Sequence, residues 1–319
     1  MKLIHKLLNF VLPPITVFAI CLILPFLSIF KFFDYIFRYL FPENLKGKVV
    51  LITGASSGIG EHLAYEYAKK GANLALVARR EDTLREVANK SAQLGSPDVL
   101  VIRADVSQVD QCKQFIEVVV NHFGRLDHLV CNAGIGFHCA FEDASNVTNF
   151  VPVMDVNFWG SIYPTYFAIP YLKRFKGKIV VNASVAGWMI QPRVTIYGAS
   201  KAALINFYDN LRVELARKVS ITIVSPGFVD SELSRGKLLT MRGEVEVDPM
   251  IRKILRGIPF ESTRECAKAI VAAASRGDKY ITEPWWYNVL YLLRILCPDM
   301  LEWSYHLLLS TCEIPLERD

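Results

Sequence analysis

Eight residues, Thr53-Gly54-Ala55-Ser56-Ser57-Gly58-Ile59-Gly60, constrain this chain more than any others. They follow Lys48 to Ile52, an apolar run rich in β-branched residues that reads as a buried parallel strand. After them Leu63, Ala64, Tyr67 and Ala68 recur at helical spacing. Strand, glycine turn and helix, in that order, are the context in which a glycine motif binds phosphate. Gly54 permits the tight turn, Gly58 lets a pyrophosphate approach the backbone, and Gly60 allows close helix packing. Ser56, Ser57 and Ile59 complete the loop, and the helix N-terminus adds amide donors and a partial positive charge. The spacing is Gly-x-x-x-Gly-x-Gly rather than Gly-x-Gly-x-x-Gly, so the glycines alone would be a weak signal.

Further strands at Asn73–Ala78, Val99–Ile102, Asp127–Val130, Lys178–Val181 and Ser220–Val224 alternate with helical patterns. The alternation predicts an α/β fold, a doubly wound parallel sheet of Rossmann type in one domain. The second strand ends in Arg79-Arg80, at the position that faces an adenosine ribose. Arginine there accommodates the 2′-phosphate of NADP, whereas an acid would bind the 2′-hydroxyl of NAD. Neither Asp nor Glu occupies the strand's last positions, so NADP(H) is favoured over NAD(H). As a solvated helix start, the two arginines would leave that choice open. The third strand leads into Asp105-Val106, placed to border the adenine, and the fourth into Asn132-Ala133-Gly134 beside the cofactor.

Tyr197 and Lys201 lie four residues apart on a predicted helix and so share a face. A phenol ionises near about pH 10, and a lysine charge one turn away favours the phenolate. Tyr197 is therefore a candidate general acid/base for a carbonyl/alcohol pair. Ser184 follows the strand Lys178–Val181, thirteen residues before Tyr197, at the sheet edge where open α/β folds bind ligands. Its hydroxyl is placed to hold a substrate oxygen.

These residues resemble the short-chain dehydrogenase/reductase family over about residues 45 to 280. The resemblance runs through Thr53–Gly60, Asn132-Ala133-Gly134, Asn157, Ser184, Tyr197-Gly198-Ala199-Ser200-Lys201 and Pro226-Gly227. It implies reversible hydride transfer between a nicotinamide and a carbonyl carbon. It also implies that Lys201 binds the nicotinamide ribose and that Asn157 supports a water leading to the lysine. Pro226-Gly227 would turn the chain over the nicotinamide, with Phe228 to about Pro259, including Arg235, Lys237 and Arg242, as a substrate lid. A homodimer through the helices carrying Asn157 and Tyr197 is a further implication. One motif departs from the family, with Cys131 where its first asparagine stands.

The net charge of +5 is modest and no basic run interleaves with aromatics, which argues against a nucleic-acid partner. The six histidines show no metal-ligand spacing, and no metal is expected. Seven scattered cysteines suggest free thiols in a reducing compartment. Glycosylation sequons stand at Asn146 and Asn182, and the second reads as chance because it contains Ser184.

From Leu7 to Phe33 the chain is nearly all apolar, longer than the roughly 20 residues that span a bilayer. It is too long for a signal peptide and has no convincing cleavage site. Pro13, Pro14 and Pro25 are each expected to break a helix, so a hairpin with a proline knob stands beside a single span. The expected division is an anchor at 1–42, a catalytic domain at 43–280 and an apolar tail at 281–319. Trp285-Trp286-Tyr287 and the leucines after them suit a membrane interface, or else core packing or a dimer contact.

With this anchor the chain resembles the plant steroleosins, hydroxysteroid dehydrogenases of seed oil bodies. That implies a sterol-like substrate, NADP(H), and a lipid droplet or endoplasmic reticulum membrane with the catalytic domain facing the cytosol. A long-chain 3-ketoacyl reductase, and a catalytically idle droplet protein, are the alternatives.

Overall fold

Seven parallel strands order the protein, a computed structural model in which residues 1–144, 146–239, 245–247 and 259–311 are described, 308–311 as backbone only. The strands are β1 (Val49–Thr53), β2 (Asn73–Ala78), β3 (Val99–Arg103), β4 (His128–Cys131), β6 (Lys178–Asn182), β7 (Ser220–Pro226) and β10 (Tyr280–Glu283). Their order across the sheet is β10-β7-β6-β4-β1-β2-β3. The order in which successive strands are laid down therefore reverses between β1 and β4, which pair in parallel as Val50–His128, Leu51–Leu129 and Ile52–Val130. That is the switch point where doubly wound sheets bind ligands.

The central strands, β1 and β4 above all, are buried on both faces, as their continuous apolar runs require, while the edge strands β3 and β10 are only partly covered. One face is covered by α2 (Gly58–Ala68), α3 (Glu81–Gln93) and α8 (Thr263–Arg276), through Leu63, Leu84 and Ile270. The other is covered by α4 (Val109–Phe123), α6 (Gly160–Phe175) and α7 (Thr195–Glu214), through Phe115, Leu172 and Tyr208. Fully burying one such side chain is worth about 1.5–3 kcal/mol. A small second sheet joins β5 (Gly136–Phe137), β8 (Lys237–Leu239) and β9 (Val245–Val247). The expected lid thus runs partly through a strand that pairs with residues just after Gly134. Its stretches 240–244, with Arg242, and 248–258 lie outside the described residues.

The chain divides into two compact units, Met1–Glu43 and Asn44–Asp319. In the first, Lys2–Leu40 is one continuous helix (α1) with Pro13, Pro14 and Pro25 inside it. The expected break at the prolines does not occur. Each proline lacks an amide donor and crowds the carbonyl four residues back, yet the long apolar runs on either side carry the helix through. At about 1.5 Å per residue α1 is about 58 Å long, more than the roughly 30 Å of a bilayer's hydrocarbon. By length and hydropathy it is able to cross a membrane.

In the second unit, α9 (Tyr287–Leu296) and α10 (Pro298–Thr311) follow β10. Glu261 bridges backbones with Phe228–Asp230 and sets its carboxyl against Glu283 of β10. Burial, then the Glu283 carboxyl, pushes the Glu261 pKa up to about 8. The unfolded chain ionises this group near its ordinary value while the fold retains the proton, so stability falls as pH rises between the two values. Glu261→Gln removes that cost. In thermal unfolding its midpoint should exceed wild type by about 2–4 °C at pH 8 and match it near pH 4, the shift expected for roughly 1 kcal/mol.

Candidate active site

The loop between β1 and α2 turns at Gly54 (φ +66°) and Gly58 (φ +59°), backbone states that favour glycine. Thr53 and Asn132 fasten this loop to the end of β4. Thr53 Oγ1 accepts from the Asn132 and Ala133 amides at 3.0 and 3.2 Å. Asn132 Nδ2 donates to the Thr53 and Gly54 carbonyls at 3.0 and 3.2 Å. Asn182 Nδ2 donates to Asn132 Oδ1 at 2.8 Å, which ties in β6 as well. A Cβ on Gly60 would lie 2.3 Å from the Gly54 carbonyl oxygen, so helix start and turn meet backbone to backbone. A Cβ on Gly58 would meet Ser231 Cβ at 3.5 Å, an ordinary contact, so no backbone crowds the loop there.

At the end of β2 the two arginines diverge. Arg79 lies 3.8 Å from Asp105. Arg80 forks onto Glu232 with bonds of 3.0 and 2.9 Å, and also donates to Ser57 Oγ at 2.7 Å and Ser56 Oγ at 3.3 Å. Ser57 Oγ and Lys237 Nζ bind the same Glu232 carboxylate, at 2.9 and 3.1 Å. This company holds Glu232 down at about pH 2 against the effect of its partial burial.

Ser184 caps a single 3-10 turn, Val185–Gly187, and accepts the Ala186 amide at 3.1 Å. Its hydroxyl also hydrogen-bonds Tyr197. Tyr197 keeps part of its surface accessible, while Lys201 and Ser184 are buried. Lys201 Nζ lies 5.8 Å from the Tyr197 ring centre and donates to the Asn182 carbonyl at 2.9 Å. Packing raises the Tyr197 pKa, opposed by the Ser184 bond, and burial pushes Lys201 down to about 8. The expected depression of Tyr197 by Lys201 is therefore absent from this arrangement. Desolvation is the leading effect and Ser184 alone opposes it, so the phenol retains its proton at neutral pH.

Asn157 is fully buried in a π-helical turn, Asp155–Trp159, that joins α5 (Val151–Met154) to α6. It clasps Ile135, accepting its amide at 2.8 Å and donating to its carbonyl at 3.0 Å, and donates to Ser200 Oγ at 3.1 Å. Ser200 in turn donates to the Tyr197 carbonyl at 2.7 Å. Asn157 thus joins the Gly134–Ile135 stretch to the Tyr197 helix. A Cβ on Gly134 would come within 3.2 Å of Asn157 Oδ1 and 3.5 Å of Lys201 Nζ, so the glycine keeps the space before Lys201 clear. The glycine loop, this cleared space and a buried lysine fit a nicotinamide dinucleotide.

On the substrate side, Ser184 Oγ lies 3.4 Å from the Pro226 carbonyl. Tyr287 of α9 packs with Val185 and Met189, and its ring lies so close to Gly227 that a Cβ there would fall 2.1 Å from it. A separate groove of about 360 Å³, lined by Phe158, Phe207 and Leu211 among others, contains none of Ser184, Tyr197 and Lys201.

The family model for short chain dehydrogenases matches residues 48–241. The 11-beta-hydroxysteroid dehydrogenase A of Arachis hypogaea is 51% identical over 98% of this chain and 89% of its own length. The chain belongs to the short-chain dehydrogenase/reductase family. Among solved members, one from Burkholderia phymatum in complex with NAD superimposes with a TM-score of 0.72 at 25% identity, over 81% of this chain and 96% of the other. An alcohol dehydrogenase from Thermococcus sibiricus, complexed with 5-hydroxy-NADP, does so with a TM-score of 0.62 at 26% identity, over 74% and 96%. The shared fold thus accompanies both cofactor types.

Within this short-chain dehydrogenase, Asn182, Glu232 and Tyr287 had no sequence signal as site residues, and Thr53 stood in the glycine motif with no role of its own. Thr53 and Asn182 are strand-end polar residues whose partners lie on other strands. Glu232 meets Arg80 across 152 positions. The Cys131 departure is accommodated because its thiol packs against Thr165 and the Ser161 carbonyl, each at 3.6 Å. Burial raises that thiol to about pH 11, so it stays neutral.

Proposed function

We propose that this chain is an NADP(H)-dependent oxidoreductase that interconverts a hydroxyl and a ketone on a hydroxysteroid-like lipid at a lipid surface. The observation that carries the reading is the cluster of Ser184, Tyr197 and buried Lys201 beside the space cleared by Gly134. Bound there, the cofactor supplies or accepts hydride at its nicotinamide ring. Gly54, Ser56, Ser57, Gly58, Ile59 and Gly60 would hold its pyrophosphate, and Asp105 and Val106 its adenine. Asn132, Ala133, Gly134, Pro226 and Gly227 would line the rest of its path.

Ser184 donates to the substrate oxygen, and Tyr197, protonated at neutral pH, gives its hydroxyl proton as charge develops on that oxygen. The Lys201 ammonium stabilises the phenolate left behind and would hold the ribose hydroxyls. Asn157 keeps the Tyr197 helix in register with Gly134.

Arg79 and Arg80, at a strand end lacking an acid in its last positions, support NADP(H). The Arachis hypogaea relative's name supports a hydroxysteroid. The length and apolarity of α1 support a membrane or droplet anchor. Tyr287 pins the tail while Trp285, Leu292, Leu296 and Trp303 stay exposed, and such aromatic and leucine side chains suit a lipid interface. The exposed apolar side chains of Trp159, Tyr166 and Val213 support a homodimer through the helices that carry Asn157 and Tyr197. Full-length protein in detergent, assayed with hydroxysteroids, ketosteroids and 3-ketoacyl thioesters, is expected to turn over the steroids with NADPH about tenfold better than with NADH. Turnover confined to the ketoacyl substrates would overturn the substrate assignment.

A further inference from the structure

Four donors around the phosphate loop converge on one internal anion. Arg80 gives Glu232 two bonds, Ser57 gives one and Lys237 another. Three of these four donor bonds come from cationic groups, and Arg80 also binds Ser56 and Ser57 of the glycine loop directly. Such a set would equally hold a phosphate dianion, because a guanidinium fork and hydroxyl donors match phosphate oxygens as they match carboxylate oxygens. Glu232 lies one residue beyond Ser231, whose Cβ is 3.5 Å from the position of a Cβ on Gly58, so its segment stands directly over the loop.

We infer that Glu232 is a specificity-determining residue, an internal anion that competes with the cofactor's 2′-phosphate for Arg80, Ser57 and Lys237. The inference rests on the reading that Arg80 receives that phosphate. Binding of a 2′-phosphorylated dinucleotide requires the carboxylate to leave, whereas a 2′-hydroxyl brings no charge that must displace it. Glu232 therefore narrows the advantage of NADP(H) over NAD(H) below what Arg80 alone would give. Because its carboxylate stays ionised down to about pH 2, the competition holds across the whole working range. Both Arg80 and Glu232 are about two-fifths exposed, so their pairing is a modest one that a better anion is able to replace.

The test is the affinity of full-length protein in detergent for NADPH and NADH, read from cofactor fluorescence, in wild type, Glu232→Gln, Glu232→Ala and Arg80→Ala. Both Glu232 variants are expected to tighten NADPH about fivefold, the equivalent of roughly 1 kcal/mol for a partly exposed ion pair, and to move NADH less than twofold. Arg80→Ala is expected to weaken NADPH selectively. If it does so while the Glu232 variants leave NADPH unchanged or weaker, the inference is overturned and the cofactor reading stands. If Arg80→Ala moves both cofactors equally, Arg80 holds no 2′-phosphate, and reading and inference fall together. Two Glu232 substitutions, each checked for an unaltered thermal midpoint, keep a folding defect from passing as a result.

Discussion

Tyr197→Phe is expected to lower turnover by about 10²–10⁴-fold, the usual worth of a positioned general acid or base. The substitution removes only the hydroxyl that bonds Ser184 and keeps the ring. Cofactor affinity should therefore stay within about twofold, since Lys201 and the glycine loop are untouched. A merely structural tyrosine would show the reverse pattern, with turnover little changed and stability reduced. The pH profile adds a second readout. Burial brings Lys201 to about 8, and its ammonium is lost as pH rises through that value. Loss of the charge removes the group that stabilises the phenolate, so reduction should slow above about pH 8 in wild type.

Gly60→Ala is expected to weaken cofactor binding by about 10- to 100-fold. The new methyl would fall 2.3 Å from the Gly54 carbonyl oxygen and 2.5 Å from Asn132 Nδ2. Neither is the far end of a flexible side chain, because Asn132 is already committed to the Thr53 and Gly54 carbonyls. Relief requires the helix start to back away from the turn, at the roughly 1–3 kcal/mol typical of overpacking. That distorts the amides meant for the pyrophosphate. Gly124→Ala is the matched control, since its positive φ carries strain but nothing lies within 4 Å of the new methyl. It should cost about 1 kcal/mol of stability and leave the cofactor titration unchanged.

Six of the seven parallel strands were readable as short apolar runs rich in β-branched and aliphatic residues, whereas the edge strand β10, Tyr-Ile-Thr-Glu with its first residue exposed, carried no such signal. Predicted and observed bounds for β2 coincide at Asn73–Ala78, and other strands extend a residue or two further, as β7 does to Pro226. Ser184, Tyr197 and Lys201 were readable because a helical turn and a strand end fix where each one lies, and the fold brings them together. Interactions across the fold were not readable. Asn157 looks like a neutral helix residue until its clasp on Ile135 and Ser200 is seen. Arg80 carries its cofactor signal in sequence, but its occupation by Glu232 depends on how a distant segment returns over the loop. Tyr287 read as an interfacial aromatic, yet its ring fills the space that Gly227 leaves. The prolines of α1 misled because the rule that they break helices weighs the local cost without the long apolar runs that carry the helix through on either side.

The most direct test of the account is isotope transfer. Full-length protein in detergent is incubated with a ketosteroid and NADPH carrying deuterium on the transferable nicotinamide carbon, and the product is analysed by mass spectrometry. The account predicts one deuterium on the new carbinol carbon with wild type, and at least about a hundredfold less labelled product in the same time with Tyr197→Phe. Labelled alcohol formed equally fast by Tyr197→Phe, or no transfer to any steroid from either NADPH or NADH, would contradict it.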